Sequence, residues 1–185
     1  MNRLTSSSLQ AGASFSAMAF CTSAIAAAST ALTVALSLPP WMMFIGWITW
    51  ATAGNAALAS AAGVGCMLGG LVLGNLAGVA LMALQPPLGS LALPIVVFVV
   101  TVIVIGSRFA RPFESGTSYY LGLVGFFAAG APPGIMTFFE LAVAGVLGAA
   151  SCAAAQRLGA FAEKLIRGSP PNEIVENSGA CSAQR

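Results

Sequence analysis

The chain repeats part of its own sequence. Residues 44–54 align with residues 120–130, and the two copies share identical glycine and alanine residues and similar aromatic and branched apolar ones. Continued without a gap, the same alignment pairs Gly69 with Gly145. Membrane transporters and channels are commonly built from a duplicated unit, with the binding site between the repeats. The alternative explanation is chance similarity between two helices rich in glycine and alanine.

Composition places the chain among integral membrane proteins. Of its 185 residues, 58% are hydrophobic and 6% are charged, and the mean hydropathy is +0.91. A soluble domain carries about 25% charged residues, so the charges of this chain cannot cover the surface of one. The fold class that we predict is therefore an all-α integral membrane protein.

The composition gives no basis for enzymatic chemistry. Histidine is absent, and the four cysteines are scattered without the CxxC spacing of a zinc site or a redox pair. The sequence contains no phosphate-binding loop, zinc-protease element or nucleophile elbow. We therefore predict that the protein is not an enzyme and that it binds no cofactor and no metal. The net charge of +2 is too small to indicate a nucleic-acid partner.

Apolar segments separated by turn residues predict six transmembrane helices arranged as two inverted three-helix repeats. A bilayer core of about 30 Å takes about 20 helical residues, and two of the six segments are shorter than that. The segments comprise residues 11–36, 41–54, 57–84, 88–106, 117–130 and 135–158. The repeats then span 11–84 and 88–158, between a cytoplasmic start at 1–10 and a polar, disordered cytoplasmic tail at 159–185.

Prolines mark the turns between the segments. Pro39 and Pro40 end the first segment, and Gln85 with the two prolines after it opens a turn between the halves, because proline cannot continue the hydrogen-bond ladder of a helix. A secretory signal peptide is the rival interpretation of the first segment, since Arg3 precedes the apolar run. The length of the run and its counterpart in the second repeat favour a retained helix.

Arginine and lysine predict the orientation, because they favour the cytoplasmic side of a membrane. With six crossings and a cytoplasmic N-terminus, Arg3, the loop that holds Arg108 and Arg111, and the tail all lie inside. The three outer turns then carry no basic residue. If the two short segments were re-entrant, Arg108 and Arg111 would lie outside instead. Three crossings in each repeat is an odd number, so the second repeat is inverted relative to the first.

The two short segments, 41–54 and 117–130, are the predicted position of a solute site. Repeat transporters bind their substrates at short or interrupted helices in corresponding positions of the two halves. Aromatic residues of the two segments would face each other across the pseudo-two-fold axis and form a narrow slot. An aromatic belt at the membrane surface is the alternative. The residues of the two walls are Trp47 and Trp50, and Phe126 and Phe127.

Three polar residues inside apolar segments complete the candidate site. Asn75 and its repeat mate Ser151 could coordinate a small polar solute, and the alternative is a hydrogen bond that joins two helices. Glu140 lies about one turn into the sixth segment. An acid within the membrane is costly and so indicates a gate or a proton site. Near the outer turn, however, it would face water and stabilise its helix N-terminus.

Part of the chain resembles a known family. Two runs carry the likeness: Leu38 to Leu81, with Trp41 and closely spaced glycines, and the later SGTSYYLGLVGFFAAG. They are similar to the small bacterial inner-membrane proteins catalogued as domain of unknown function 1097. The resemblance spans roughly residues 36–158. Family members tend to have Pro-Gly-Thr-Phe where this chain has Ser115-Gly116-Thr117-Ser118, so no role of that proline carries over. The resemblance implies a multi-pass fold in the bacterial inner membrane and no particular substrate.

Together these features predict a channel or transporter for a small neutral or weakly polar solute in the lipid bilayer. The scarcity of charged residues in the apolar segments argues against a strongly ionic solute. The alternative is a non-transporting scaffold or accessory subunit of a membrane complex. Glycines at GxxxG spacing, such as Gly70, Gly74 and Gly78, let helix backbones approach closely and predict a homo-oligomer.

Overall fold

The structure, a computed structural model, describes residues 2–53, 57–107 and 115–167, and these residues are helical apart from short turns. The predicted loop with Arg108, Arg111 and Glu114 and the last part of the tail, 168–185, lie outside the described residues. A short 3-10 turn at Gly89–Leu91 separates α3 from α4. The α-helices of the described part are α1 (Asn2–Ala35), α2 (Pro40–Thr52), α3 (Ala57–Leu88), α4 (Ala92–Ser107), α5 (Gly116–Ala129) and α6 (Ile135–Arg167).

The helices have the apolar surface of a membrane protein. Three stretches of the described chain are long and apolar enough to cross a bilayer: Met18–Ala35, Ala57–Gly106 and Ile135–Ala162. The second stretch includes both α3 and α4. The shorter helices α2 and α5 have 13 and 14 residues, which at 1.5 Å per residue gives about 20 Å each. Large apolar side chains cover the outside, and Phe98 of α4, for example, is 70% exposed.

The turn between α1 and α2 contains a residue in an unfavourable backbone conformation. Ser37 has φ of 56°, in the left-handed region that suits glycine. Its N–H donates to the carbonyl oxygen of Val34, and the N–H of Leu38 donates to that of Thr33. These two bonds form a Schellman motif, which satisfies the last carbonyl groups of α1. Pro40 then starts α2 at the first helical position, where its missing N–H costs nothing.

Helix α3 continues past the point where the sequence predicts a turn. Pro86 and Pro87 lie inside the last turn of α3, which ends at Leu88. Proline already has a helical φ, and what it removes is a hydrogen bond to the residue four positions earlier. Those earlier residues, Met82 and Ala83, are exposed. The turn falls instead at Gly89, whose φ of 52° breaks the helix.

Helix α6 is also longer than the sixth predicted segment. It runs without a break to Arg167, so residues 159–167 of the predicted disordered tail are helical. This stretch consists mostly of alanine, leucine, glutamate, lysine and arginine, which are strong helix formers. The first proline after it is Pro170.

Helix packing crosses between the two halves of the sequence. Helix α2 packs most extensively on α6, α3 packs equally on α5, and α1 also packs on α6. At the crossing of α2 and α6, a Cβ on Gly46 would overlap the carbonyl oxygen of Gly145. At the same crossing, a Cβ on Gly148 would overlap the carbonyl oxygen of Met43. The two backbones therefore touch directly, with no side chain between them.

The crossing of α3 and α5 has the same construction. A Cβ on Gly122 would overlap the carbonyl oxygen of Met67, and one on Gly70 would overlap that of Tyr119. Further along the same two helices, a Cβ on Gly74 would come within 2.7 Å of the Cβ of Phe126. The glycine face of α3 thus contacts α5 of the same chain.

The centre between the two crossings is closed by apolar side chains. Met42, Met67 and Leu71 are fully buried there, together with Phe126 at 3% exposure. The sulfur and terminal methyl groups of the two methionines fill the space beside Gly125 and Gly145. Leu141 and Ala144 of α6 complete this cluster, which we call the central barrier.

We expect Gly46→Ala to cost about 3 kcal/mol of unfolding free energy, the upper end for overpacking, because the neighbouring backbone of Gly145 cannot yield as a flexible side chain would. Gly106→Ala is the matched control: nothing lies within 4 Å of its added Cβ, and alanine is favoured over glycine in a helix by up to about 1 kcal/mol. Thermal unfolding of the purified protein in mild detergent measures both. Equal melting temperatures for the two variants would contradict the backbone contact.

Ser37→Gly is expected to stabilise the protein by about 1 kcal/mol, since the left-handed conformation costs about 1–2 kcal/mol for a residue with a Cβ. Ser37→Val should destabilise it, because a β-branched side chain suits this conformation least. The same thermal unfolding experiment ranks the three proteins. A stability order of valine above glycine would show that the turn adopts another conformation.

Candidate functional site

The four predicted aromatic wall residues do not face one another across one slot. The Phe126 ring is buried in the central barrier, with Gly74 and Gly78 of α3 beneath it. The neighbouring Phe127 is 44% exposed and makes an edge-on contact with Phe126, at 5.6 Å between ring centroids. Because consecutive residues of a helix point in different directions, one ring faces the centre and the other faces outward.

The two tryptophans lie on the side of α2 that faces α6 and α1. The indole nitrogen Nε1 of Trp50 donates a hydrogen bond of 3.1 Å to the Oε1 atom of Gln156. Trp47 lines a cavity of about 400 Å³ between α1, α2 and α6, together with Gln156. Trp50 therefore contacts a polar residue of α6 and not the aromatic residues of α5.

Phe127 lines a separate cavity of about 330 Å³ between α3, α4 and α5. Its other lining groups are almost all apolar, for example Val96 and Val124. The polar exceptions are the hydroxyl groups of Thr101 and Tyr120. The cavity suits an apolar group such as a hydrocarbon chain and offers little to a polar solute.

Asn75 joins α3 to the turn before α6. Its Oδ1 accepts a hydrogen bond of 2.8 Å from the backbone N–H of Gly134. The donor is one of the N–H groups just before Ile135, where α6 begins and where no helical partner exists. This is the helix-joining role that the sequence left open as the alternative for Asn75. Solute binding by Asn75 stays a prediction.

Ser151, the predicted mate of Asn75, uses its hydroxyl within its own helix. Its Oγ donates to the carbonyl oxygen of Leu147 at 2.8 Å. Thr49 and Thr52 of α2 make the same type of bond to carbonyls one turn earlier. A hydroxyl group satisfied in this way can still accept a bond from a solute. The structure does not bring Ser151 and Asn75 into contact through any described hydrogen bond.

Glu140 lies at the end of the bundle that holds the α1–α2 and α5–α6 turns. It is exposed and lines a cavity of about 280 Å³ with Ser37 and Thr137. Trp41 and Leu141 close the inner side of this cavity, and Leu141 also belongs to the central barrier. The carboxylate of Glu140 therefore stands at the mouth of a cavity that ends at the barrier.

A group of buried and half-buried serines lies beyond the barrier, at the opposite end of the same helices. The hydroxyl groups of Ser115 and Ser118 are 2.7 Å apart, and Ser118 lies beside Gly63 of α3. Ser60 of α3 donates to the carbonyl oxygen of Trp50 at 3.3 Å. Sequence reasoning missed this serine group, because isolated serines in apolar runs carry no distinctive spacing. The one available signal was Ser115 as the N-cap of α5.

The site as a whole has polar ends and an apolar middle. Glu140 and Thr137 lie at one end, the serine group lies at the other, and the central barrier separates them. Within the described residues, no three histidine, cysteine, aspartate or glutamate side chains gather as metal ligands.

We expect Asn75→Leu to destabilise the protein by about 1–3 kcal/mol, because it leaves the Gly134 N–H without an acceptor. Asn75→Asp retains an acceptor oxygen at the same place and should cost less. The measurement is thermal unfolding in detergent, with amide hydrogen exchange at Gly134 as the local probe. Unchanged exchange at Gly134 in Asn75→Leu would contradict the bond.

Comparison with known proteins gives a family. Residues 19–156 match the family described as Protein of unknown function (DUF1097). This match covers the second half of α1 and all of α2 to α5, together with the greater part of α6. No curated protein and no solved structure matches the chain significantly. The chain is therefore a member of the DUF1097 family of membrane proteins, whose function is unknown.

Proposed function

We propose that the protein is a transporter for a small neutral or weakly polar solute, built from two inverted three-helix repeats. The single observation that carries this proposal is the duplicated glycine crossing, α2 on α6 and α3 on α5. Each crossing joins one helix from each half of the sequence. The interface between the halves is therefore the interface that a rocking motion of two repeats would open.

The contacts at the two crossings support a duplication. Gly46 touches the carbonyl of Gly145 as Gly122 touches that of Met67. On α2 and α5 this pairs Gly46 with Gly122, as the sequence alignment does. On α3 and α6 it pairs Met67 with Gly145. These two residues lie the same number of positions after the first residues of their helices. Beyond residue 130 the alignment therefore shifts by two positions, because the second half has two additional residues in the turn before α6.

The helix directions support inversion of the second repeat. Helix α2 runs alongside α6 in the same direction, since Trp41 lies near Leu141 and Trp50 binds Gln156. Helix α3 follows α5 in the same way. Helices α2 and α3 form an antiparallel hairpin, in which Ser60 binds the carbonyl of Trp50. Helix α5 therefore runs opposite to its counterpart α2.

The two side cavities also correspond. The 400 Å³ cavity beside α1 and the 330 Å³ cavity beside α4 lie on the counterpart helices of the two repeats. The residue pairing found at the two crossings, α2 with α5 and α6 with α3, also pairs the residues that line the two cavities. The corresponding lining residues are Trp47 and Leu123, Ala51 and Phe127, and Ala155 and Ala77.

The orientation that we propose has six crossings, both termini in the cytoplasm and the bacterial inner membrane as the location. The exposed basic residues Arg157 and Lys164 lie towards the C-terminal end of α6, and basic residues favour the cytoplasmic side. Glu140 and its cavity then face the outside. The helices α2 and α5 are shorter than a bilayer core, as the interrupted helices of transporters are.

Solute chemistry follows from the polar groups at the two ends. Hydroxyl groups and one carboxylate can bind a small molecule with hydrogen-bonding groups, whereas a permanent charge would find no counter-ion in the central barrier. The residues that move relative to one another would be those at the barrier, Met42 and Met67 with Phe126. We propose no enzymatic activity, no cofactor and no nucleic-acid partner.

A scaffold or accessory subunit is the second candidate, and the closed centre favours it. Met42, Met67 and Leu71 are fully buried, as in a purely structural core. Homo-oligomerisation remains a proposal under either function. It needs a surface other than the glycine face of α3, because α5 covers that face. The lipid-facing α4 is the larger apolar surface that remains.

Solute flux into proteoliposomes, followed by stopped-flow light scattering with water, urea, glycerol and small amides, tests the proposal. We expect selective flux above that of empty liposomes. Phe126→Ala should raise the flux of urea and glycerol about tenfold and reduce the selectivity between them, because it opens the central barrier. Phe98→Ala, at a lipid-facing position, is the matched control and should behave as wild type.

Two results would contradict the proposal. Folded wild-type protein that passes none of the solutes would favour the scaffold function. Selective flux that is identical in wild type and Phe126→Ala would retain transport and exclude the central barrier as its path.

A further inference from the structure

The side cavity between α1, α2 and α6 has polar groups that its counterpart lacks. Its volume is about 400 Å³. Ser23, Ala51 and Gln156 are exposed at its edge, so it opens on the outer surface of the bundle. The lining consists of Met18, Ala19, Thr22 and Ser23 from α1, Trp47 and Ala51 from α2, and Cys152, Ala155, Gln156 and Gly159 from α6.

One hydrogen bond determines which way the Gln156 amide presents its donors. An indole N–H can only donate, so the atom of Gln156 that faces Trp50 is the carbonyl oxygen. This fixes the other end of the amide as the Nε2 amino group, with two N–H donors. No described residue accepts a hydrogen bond from that group. The Gln156 side chain therefore holds donors at the cavity, available to an acceptor.

The remaining lining fits a molecule that is mostly apolar. Trp47 offers a large aromatic surface, and the small side chains of Ala51 and Ala155 leave room beside it. The hydroxyl of Thr22 already donates to the carbonyl of Met18 at 2.8 Å. Among the described lining residues, the Gln156 amide offers two N–H donors, and the hydroxyl of the exposed Ser23 is a further polar group at the edge of the cavity.

The corresponding positions on α5 and α3 show what the helix contact looks like without this pair. At the position equivalent to Trp50 stands Phe126, and at the position equivalent to Gln156 stands Gly78. There the ring packs against the glycine, at 3.1 Å from an added Cβ to the ring edge, and no amide is present. The polar pair is thus specific to one of two cavities of related construction.

We propose that the cavity between α1, α2 and α6 is a binding site for an amphipathic molecule that enters from the bilayer. The molecule has a flat or chain-like apolar body, held against Trp47, and a carbonyl-type acceptor, held by Nε2 of Gln156. The position supports this, because Gln156 immediately precedes Arg157 near the end of the last span, at the level where acceptor groups of membrane-dissolved molecules lie. The acceptor belongs either to a lipid ester or to a dissolved amide.

Quenching of tryptophan fluorescence by brominated probes tests the site in vesicles. In a Trp41→Phe background, the two remaining tryptophans are Trp47, which lines the cavity, and Trp50, which is hydrogen-bonded to the lining residue Gln156. One probe is 4-bromoacetanilide, an aromatic amide, with 4-bromotoluene as the probe without an acceptor. A brominated phosphatidylcholine, added at low mole fraction to unbrominated lipid, tests the lipid source.

We expect quenching by the amide or by the brominated lipid to saturate, and Gln156→Leu to weaken that binding about tenfold, as for loss of one hydrogen bond. Gln156→Glu retains the acceptor for Trp50 but removes the Nε2 donors, and should weaken binding as much. Gln85→Leu, the same change at an exposed position of α3, should have no effect. Quenching by 4-bromotoluene should be the same in all variants.

Each source of the acceptor gives a distinct result. Saturation by the amide identifies a dissolved molecule, and saturation by the brominated lipid alone identifies a lipid. Quenching by both probes that never saturates, or that Gln156→Leu and Gln156→Glu leave unchanged, would overturn the site. The test needs no transport, so binding without flux would retain this site while the transport proposal fails.

Discussion

Direct contact between helix backbones is the constraint on which the rest of this structure depends. In lipid, apolar side chains gain little by meeting one another, since the acyl chains around them are equally apolar. Helices associate when their backbones can approach closely, and the glycines at the two crossings allow this. The crossings then bring α2 against α6 and α3 against α5, so each half of the sequence is held mainly by the other half.

The central barrier and the polar ends are consequences of those crossings. Where the backbones touch, no space remains for a polar lining, and the side chains of Met42 and Met67 fill the gaps beside Gly125 and Gly145. Methionine suits such irregular gaps because it is unbranched and flexible. Towards the ends of these helices, the Glu140 cavity lies on one side of the barrier and the buried serine group lies on the other. The closed centre accommodates both proposed functions, the transporter and the rigid scaffold.

Sequence reasoning predicted the helices well and their mutual contacts poorly. Apolar runs and proline turns predicted the approximate bounds of the helices, because these depend on local chemistry. The end of α3 differs, since Pro86 and Pro87 can occupy a final helical turn. Side-chain partners depend on rotation of one helix against another. The pairing of Trp50 with Gln156, or of Asn75 with the Gly134 N–H, therefore could not be read from spacing.

The sequence by itself determined the fold class, an all-helical membrane protein, because the preference of an apolar segment for lipid over water does not depend on its neighbours in the fold. The sequence also determined the family, DUF1097. The duplication that the sequence indicated stays a prediction: its alignment matches the glycine contacts on α2 and α5 and differs by two positions on α3 and α6. Only the tertiary structure decided which residues share a cavity. The distance between two packed helices depends on the glycines of both helices, and that distance decides which side chains line the space between them. The tertiary structure directs Phe126 into the central barrier and Phe127 into a side cavity. That side cavity is almost entirely apolar, whereas the other contains the Gln156 amide.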